Sequence, residues 1–194
     1  MTPTLAKTAL VLLWVGWYVI RYPYARRSRR LAVTHNARDL NETVLLLISL
    51  TGLGIIPFIY MVTGIPHFAD YTFHPLQAWL GILTVPAALT VFYLTHRALG
   101  RYWSISLELR EGHALIAEGI YRHARHPMYA GFWLCAIAQA LLLPNWFAGG
   151  AGLVGFGTLF FGRVAREEQM MLERFGDDYR AYMGRTYRLL PGIY

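Results

Sequence analysis

A few groups of side chains in this sequence have types and spacings that could do chemistry. Arg163 and Glu167 are four residues apart, about one helical turn, and a second carboxylate, Glu168, follows. Side chains at that spacing meet on a helix face, and on residues alone the pair reads as a surface ion pair worth about a few tenths of a kcal/mol. His126 and Tyr129 are three apart and share a helix face; Pro127 between them suits a first helical turn, where a missing N–H costs nothing. His123 and His126 could share a metal, but no third or fourth ligand stands at a fixed spacing. The single cysteine, Cys135, excludes an internal disulfide framework and multi-cysteine metal sites, and reads as a packing residue. Gly150 to Gly155 matches G-x-G-x-x-G literally, but a dinucleotide site needs a preceding strand and a βαβ unit. The same stretch puts Ala148/Gly152 and Ala151/Gly155 at the small-xxx-small spacing that lets helices pack closely. Singly, none of these signals specifies an activity.

The elements that must position these residues are apolar. Of 194 residues, 56% are hydrophobic and only 15% charged, with a mean hydropathy of +0.35. A water-soluble domain of this size needs more polar surface than that, and a disordered chain would be less apolar. The composition is that of an integral membrane protein. Five apolar runs predict five transmembrane helices: Leu5–Ile20, Thr43–Val62, Leu76–Thr95, Pro127–Leu143 and Trp146–Gly162. A span needs roughly 20 residues, so the first, fourth and fifth runs must recruit flanking residues. The first run has its basic residues after the apolar core and no small-residue cleavage site, so it reads as a retained span. Pro57 and Pro86 read as kinks that neighbouring helices re-satisfy. Pro144-Asn145 makes spans four and five a tight hairpin.

The net charge of +7 would suggest nucleic acid if spread over a soluble fold; its distribution reads instead as topology, with no nucleic-acid partner. All 17 arginines fall after runs one, three and five, and the intervening loops hold none. Five spans with the N-terminus outside place every arginine and the C-terminus in the cytoplasm. The cytoplasmic segment His96–His126 carries a strand-like alternation, Ser104 to Leu109, then a Glu111-Gly112 turn and His113 to Ile116. This predicts a small hairpin between spans three and four. After run five, Met170, Met171 and Phe175 alternate with charges, predicting amphipathic helices that cap the cytoplasmic side.

Taken in order, these residues resemble the isoprenylcysteine carboxyl methyltransferase family, which is grouped with membrane phospholipid methyltransferases. The resemblance runs from about Leu99 to Pro191. It is carried by Leu99-Gly100-Arg101-Tyr102-Trp103-Ser104, Glu118-Gly119-Ile120-Tyr121 and Arg125-His126-Pro127-Met128-Tyr129-Ala130-Gly131. Gln139, Asn145-Trp146, Arg163, Glu167-Glu168, Phe175 to Tyr179, Tyr182 and Pro191 continue it. The chain thus divides into 1–98, three transmembrane helices, and 99–194, a catalytic region. Residues 1–98 agree with the family only in topology.

The resemblance implies S-adenosylmethionine as methyl donor, bound at the cytoplasmic ends of the last two spans. By position, His113, Ala114, Leu115, Ile116, Tyr121, His126, Pro127, Met128, Tyr129 and Glu167 would bind the donor, with Glu167 on its ammonium. Arg163 would bind the acceptor and act as the catalytic residue. A carboxylate suits an ammonium, and aromatic rings suit adenine and a sulfonium. The implied acceptor is a lipid-like or prenylated molecule reached from the bilayer, preferably a carboxylate, already ionised at neutral pH. An amine acceptor, as in phospholipid N-methylation, would need a base. The implied location is a prokaryotic cytoplasmic membrane, with the site on the cytoplasmic face. The competing class is an NADPH-dependent sterol reductase, similar near Leu190 to Tyr194 but much larger, with roughly twice the spans.

Overall fold

The computed structural model describes residues 1–28, 33–36, 39–100, 108–110 and 114–189. Its helices are α1 (Pro3–Ser28), α2 (Leu40–Leu50), α3 (Ile56–Thr63), α4 (Pro75–Leu99), α5 (Pro127–Leu142), α6 (Trp146–Phe175) and α7 (Asp177–Arg185). A π-helical turn, Thr51–Ile55, joins α2 to α3 in one continuous rod, Leu40–Thr63. That rod, α1, α4 and α6 are each long and apolar enough to cross a bilayer.

The fifth expected span, α5, has only 16 residues, about 24 Å of helix. It lies between α4 and α6 and also touches α1, so its short ends meet protein as well as membrane, where irregular backbone is tolerated. Among the described residues, the fold therefore has four full-length membrane-capable helices and one short apolar helix packed among them. α6 runs on well past the end of its apolar stretch, to Phe175, so Arg163, Glu167 and Glu168 sit on one rigid rod.

Local chemistry sets the helix ends. Asp39 caps α2 by accepting from the Glu42 amide at 2.7 Å, and Asn145 caps α6 by accepting from the Ala148 amide at 2.7 Å. Pro75 and Pro127 occupy first-turn positions. Gly176, at φ 53°, turns the chain from α6 into α7 in a conformation that other residues resist.

The expected hairpin is corrected. Glu108–Arg110 (β2) is extended, but its antiparallel partner is Val33–Asn36 (β1), after α1. Ala114 to Ile116 form no strand, and residues 104–107 and 111–113 lie outside the described residues. The alternation marked a strand correctly; its partner is a distant segment.

Close packing of α6 against the second rod confirms the small-residue reading. A Cβ on Gly52 would lie 2.3 Å from the Ala151 carbonyl, and one on Gly155 would lie 2.8 Å from the Ile48 carbonyl. The two rods run antiparallel, and the contact continues through Leu45 against Gly162 to the paired charges described below.

Candidate active site

A cavity of about 580 Å³ opens inside the helical bundle, within the range of small-molecule sites. Ala114, Leu115, Ile116, Tyr121, His126, Met128, Tyr129, Arg163 and Glu167 all line it. Pro127 does not; it is buried at the start of α5 and sets the backbone there. His113 lies outside the described residues.

The polar end is built from α5 and α6. The His126 and Tyr129 rings stack, with centroids 5.4 Å apart and planes 21° apart. The Tyr129 hydroxyl donates to Glu167 Oε2. Glu167 also lies 3.9 Å from His126 Nδ1 and 3.9 Å from Arg163 Nε. The Arg163–Glu167 pair is not the surface pair that its spacing suggested, because Arg163 is only 7% exposed.

The adjacent carboxylates have different surroundings. Glu167 faces the cavity. Glu168 turns to the C-terminal segment, where it receives Arg125 Nε at 3.0 Å, Arg188 Nη2 at 2.7 Å and His126 Nε2 at 3.4 Å. Arg125 also donates to the carbonyls of Thr186 and Met183. Residues 186–188 run alongside 123–126: the Arg125 amide donates to the Tyr187 carbonyl at 2.7 Å, and the His126 amide to the Arg188 carbonyl at 2.8 Å. Tyr182 of α7 donates its hydroxyl to the Tyr121 carbonyl at 2.6 Å. Burial pushes the Tyr182 phenol up to about 12 and the Tyr121 phenol well above its ordinary value, so both stay neutral. α7 and the chain after it thus strap over this end of the cavity, with Tyr179 and Tyr182 on its wall.

Sequence reading missed the rest of the wall. Leu13, Trp14, Trp17 and Tyr18 of α1, with Leu46, Leu50, Leu53 and Gly54 of the second rod, form a long apolar arm, which Arg21 and Ser49 also touch. Tyr18 and Leu50 line it while being 58% and 56% exposed. α1 packs on α4 and α5, whereas α2 packs on α6, so the arm reaches the outer surface of the bundle between α1 and α2.

Glu42 was missed too. It is fully buried, and its Oε1 lies 3.0 Å from Arg163 Nη1. One turn away, Asp39 pairs with Arg166 at 2.9 Å. The Asp39 carboxyl is held below its ordinary value by the Glu42 amide first and by Arg166 second. The one signal for Glu42 was a lone carboxylate at the edge of an apolar run.

The arrangement offers an accessible carboxylate, neutral aromatic rings, a buried guanidinium and an apolar arm. These fit the groups of S-adenosylmethionine: Glu167 its ammonium, and Tyr121, Tyr129 and Tyr179 its adenine and sulfonium.

Comparison with known proteins agrees. The model of the isoprenylcysteine carboxyl methyltransferase (ICMT) family matches residues 79–173, from α4 through most of α6. A protein-S-isoprenylcysteine O-methyltransferase of Dictyostelium discoideum is 31% identical over 91 residues, 45% of this chain and 37% of that protein. The corresponding protein of Schizosaccharomyces pombe is 31% identical over 89 residues, 46% of this chain and 38% of that protein. A probable protein-S-isoprenylcysteine O-methyltransferase of Oryza sativa subsp. indica is 25% identical over 168 residues, 84% of this chain and 86% of that protein. The chain thus spans well under half the length of the first two relatives and most of the third.

Proposed function

The chain belongs to the isoprenylcysteine carboxyl methyltransferase family, and from that premise we propose that it is an integral membrane methyltransferase that uses S-adenosylmethionine to methylate the carboxylate of a prenylated or similarly lipid-like acceptor. One observation carries this reading: a single cavity joins the Arg163–Glu167 polar end to an apolar arm that opens between α1 and α2. A prenyl chain would lie in that arm with its carboxylate at Arg163. A reductase or a headgroup N-methyltransferase has no specific support in this geometry.

When bound, S-adenosylmethionine supplies an electrophilic methyl group. Glu167 holds the donor's ammonium, with Tyr129 fixing the carboxylate through its hydroxyl. Ala114, Leu115 and Ile116 flank the donor through their backbone, and Tyr121, Met128 and Tyr129 pack on its rings. His126 braces Glu167 and Glu168. Arg163 holds the acceptor carboxylate; no side chain need remove a proton, because that carboxylate is ionised at neutral pH. Catalysis is then chiefly positioning, in a pocket that the α7 strap keeps dry. The arginine distribution supports a reading in which this end of the bundle faces the cytoplasm and the N-terminus lies outside.

The test is calorimetry of S-adenosylhomocysteine binding to detergent-solubilised protein, followed by methyl transfer to N-acetyl-S-farnesylcysteine and to phosphatidylethanolamine. We expect saturable binding, weakened about ten- to a hundredfold by Glu167→Ala, the loss of a charge-assisted contact. Methylation should appear on the farnesylcysteine alone. Folded protein that binds no S-adenosylhomocysteine, or that methylates only the amine lipid, would overturn the proposal.

A further inference from the structure

Glu42 stands outside the region matched by the family model, and nothing in the 79–173 segment announces it. It sits in the first turn of α2, in a helix whose next residues are Thr43 to Leu50, almost all apolar. A carboxylate without any exposure is costly unless a cation answers it. Here the cation is Arg163, 3.0 Å away. Arg163 lines the cavity and Glu42 does not, so Glu42 stands behind the guanidinium as seen from the acceptor. Neither oxygen of the Glu42 carboxylate has a hydrogen-bond partner among the described residues, and Arg163 is the only cation within ion-pairing distance of it among them.

We propose that Glu42 is a positioning residue for the acceptor reaction, fixing the Arg163 guanidinium from behind so that it is aimed at the acceptor carboxylate. This rests on the reading of Arg163 as the acceptor's partner. Arginine offers a planar fork of donors whose direction decides whether it aligns or merely attracts a carboxylate. Its long side chain has many rotamers, and Glu167, 3.9 Å from Nε, offers a competing anion on the donor side. A fixed carboxylate on the neighbouring helix breaks that ambivalence. The placement of Glu42 is itself secured: a side-chain oxygen at position 39 caps the helix, and the close Gly52–Gly155 crossing holds the two rods further along.

The two roles open to Glu42 move different observables. If it only stabilised the fold, its loss would weaken everything together. If it aims Arg163, neutralising it leaves the guanidinium's charge available to the acceptor but no longer directed. Glu42→Gln should therefore lower kcat by about tenfold or more, the usual cost of a misaligned reactant. Binding of N-acetyl-S-farnesylcysteine in the presence of S-adenosylhomocysteine should stay equal or become tighter, and S-adenosylhomocysteine affinity should not change. Glu42→Asp keeps the charge but draws it back by one methylene, and should fall between the two; it also serves if the Gln variant does not fold. Asp39→Asn removes the neighbouring ion pair but keeps a side-chain oxygen that caps α2, so it should leave kcat at the wild-type value.

Wild-type kcat in Glu42→Gln overturns the proposal. So does a matching kcat loss in Asp39→Asn, because α2 docking would then be the cause. A parallel loss of S-adenosylhomocysteine affinity and thermal stability makes Glu42 structural and also overturns it. Failure of the underlying reading looks different: the wild-type protein itself would show no turnover of the farnesylcysteine, whatever stands at position 42.

Discussion

Gln139 offers the sharpest test of how the bundle is held together. Its amide nitrogen donates to the Gly52 carbonyl at 3.0 Å and the Ala148 carbonyl at 2.7 Å, joining α5 to the second rod and to α6. The two acceptors are not equivalent. The Ala148 carbonyl, in the first turn of α6, also has the helix's own i+4 amide. Gly52 lies in the π turn, where Ile56 N–H donates back to Thr51. The amide next in line for the Gly52 carbonyl would be that of residue 57, which is proline and has none. Without Gln139 that buried carbonyl is orphaned, at a cost of about 1–3 kcal/mol. Gln139 Oε1 is itself buried without a donor, so replacing the amide by an isobutyl group of similar bulk also removes a burden. The net expectation for Gln139→Leu is a loss of about 1–2 kcal/mol. At about 2–4 °C per kcal/mol for a chain of this size, that lowers the unfolding midpoint by about 2–8 °C. The assay is thermal unfolding of the detergent-solubilised protein, followed by tryptophan fluorescence. Pro57→Ala supplies the mechanism check, because it restores an N–H that can reach the Gly52 carbonyl. In the Gln139→Leu background it should recover part of the loss, giving a clear coupling between the two sites. A Gln139→Leu protein that unfolds at the wild-type temperature, or a double variant whose losses simply add, would refute the reasoning.

Two further outcomes follow from the geometry. Leu53→Trp fills the inner end of the apolar arm, so binding of an S-farnesyl acceptor should weaken more than that of an S-geranyl one, by about fourfold for each displaced methylene at about 0.8 kcal/mol; equal weakening would mean that the chain does not lie there. At the opposite end, the Asp70 carboxyl is held below its ordinary value by the Asn145 side chain first and the Tyr60 hydroxyl second, both donating to Oδ1. A lowered folded-state value stabilises at pH above the unfolded value of about 3.9 and fades as pH falls through the folded one. Asp70→Asn should therefore unfold below wild type at pH 7 and converge with it as the pH falls through the lowered folded-state value, as read by unfolding midpoints across the acid range.

What the sequence disclosed and what it hid divide along a physical line. Apolar runs, the first-turn Pro127 and the Pro144-Asn145 turn depend on near neighbours, and four long helices with a tight α5–α6 turn were legible from them. Glu42 was lost because a hydropathy run ends at the first charge, at Thr43, whereas the helix begins where Asp39 caps it. Glu167 and Glu168 are indistinguishable in a string, yet neighbours on a helix point about 100° apart, and only the fold shows which one meets the cavity. The β2 alternation was real, but pairing with β1 joins segments more than seventy residues apart, and periodicity reports a strand without its partner. The cavity walls on α1 and α2 look in sequence like any lipid-facing stretch.

That last blind spot explains how the site is distributed along the chain. Recognition of an ammonium or a carboxylate is directional and needs particular atoms at hydrogen-bond distance; on the proposed reading, Arg163, Glu167 and the His126–Tyr129 stack within the 79–173 segment are its marks. Burying an apolar chain is not directional and asks only for area and shape. The arm formed by α1 and the second rod meets that demand with leucines and tryptophans that many other residues could replace. A segment under the looser constraint can diverge while the polar end stays recognisable, which accounts for similarity to the Dictyostelium and fission-yeast proteins over fewer than half of these residues. Glu42 is the exception that joins the two parts: it does not line the cavity, yet from α2, whose Leu46 and Leu50 do, it puts a carboxylate 3.0 Å from the Arg163 guanidinium.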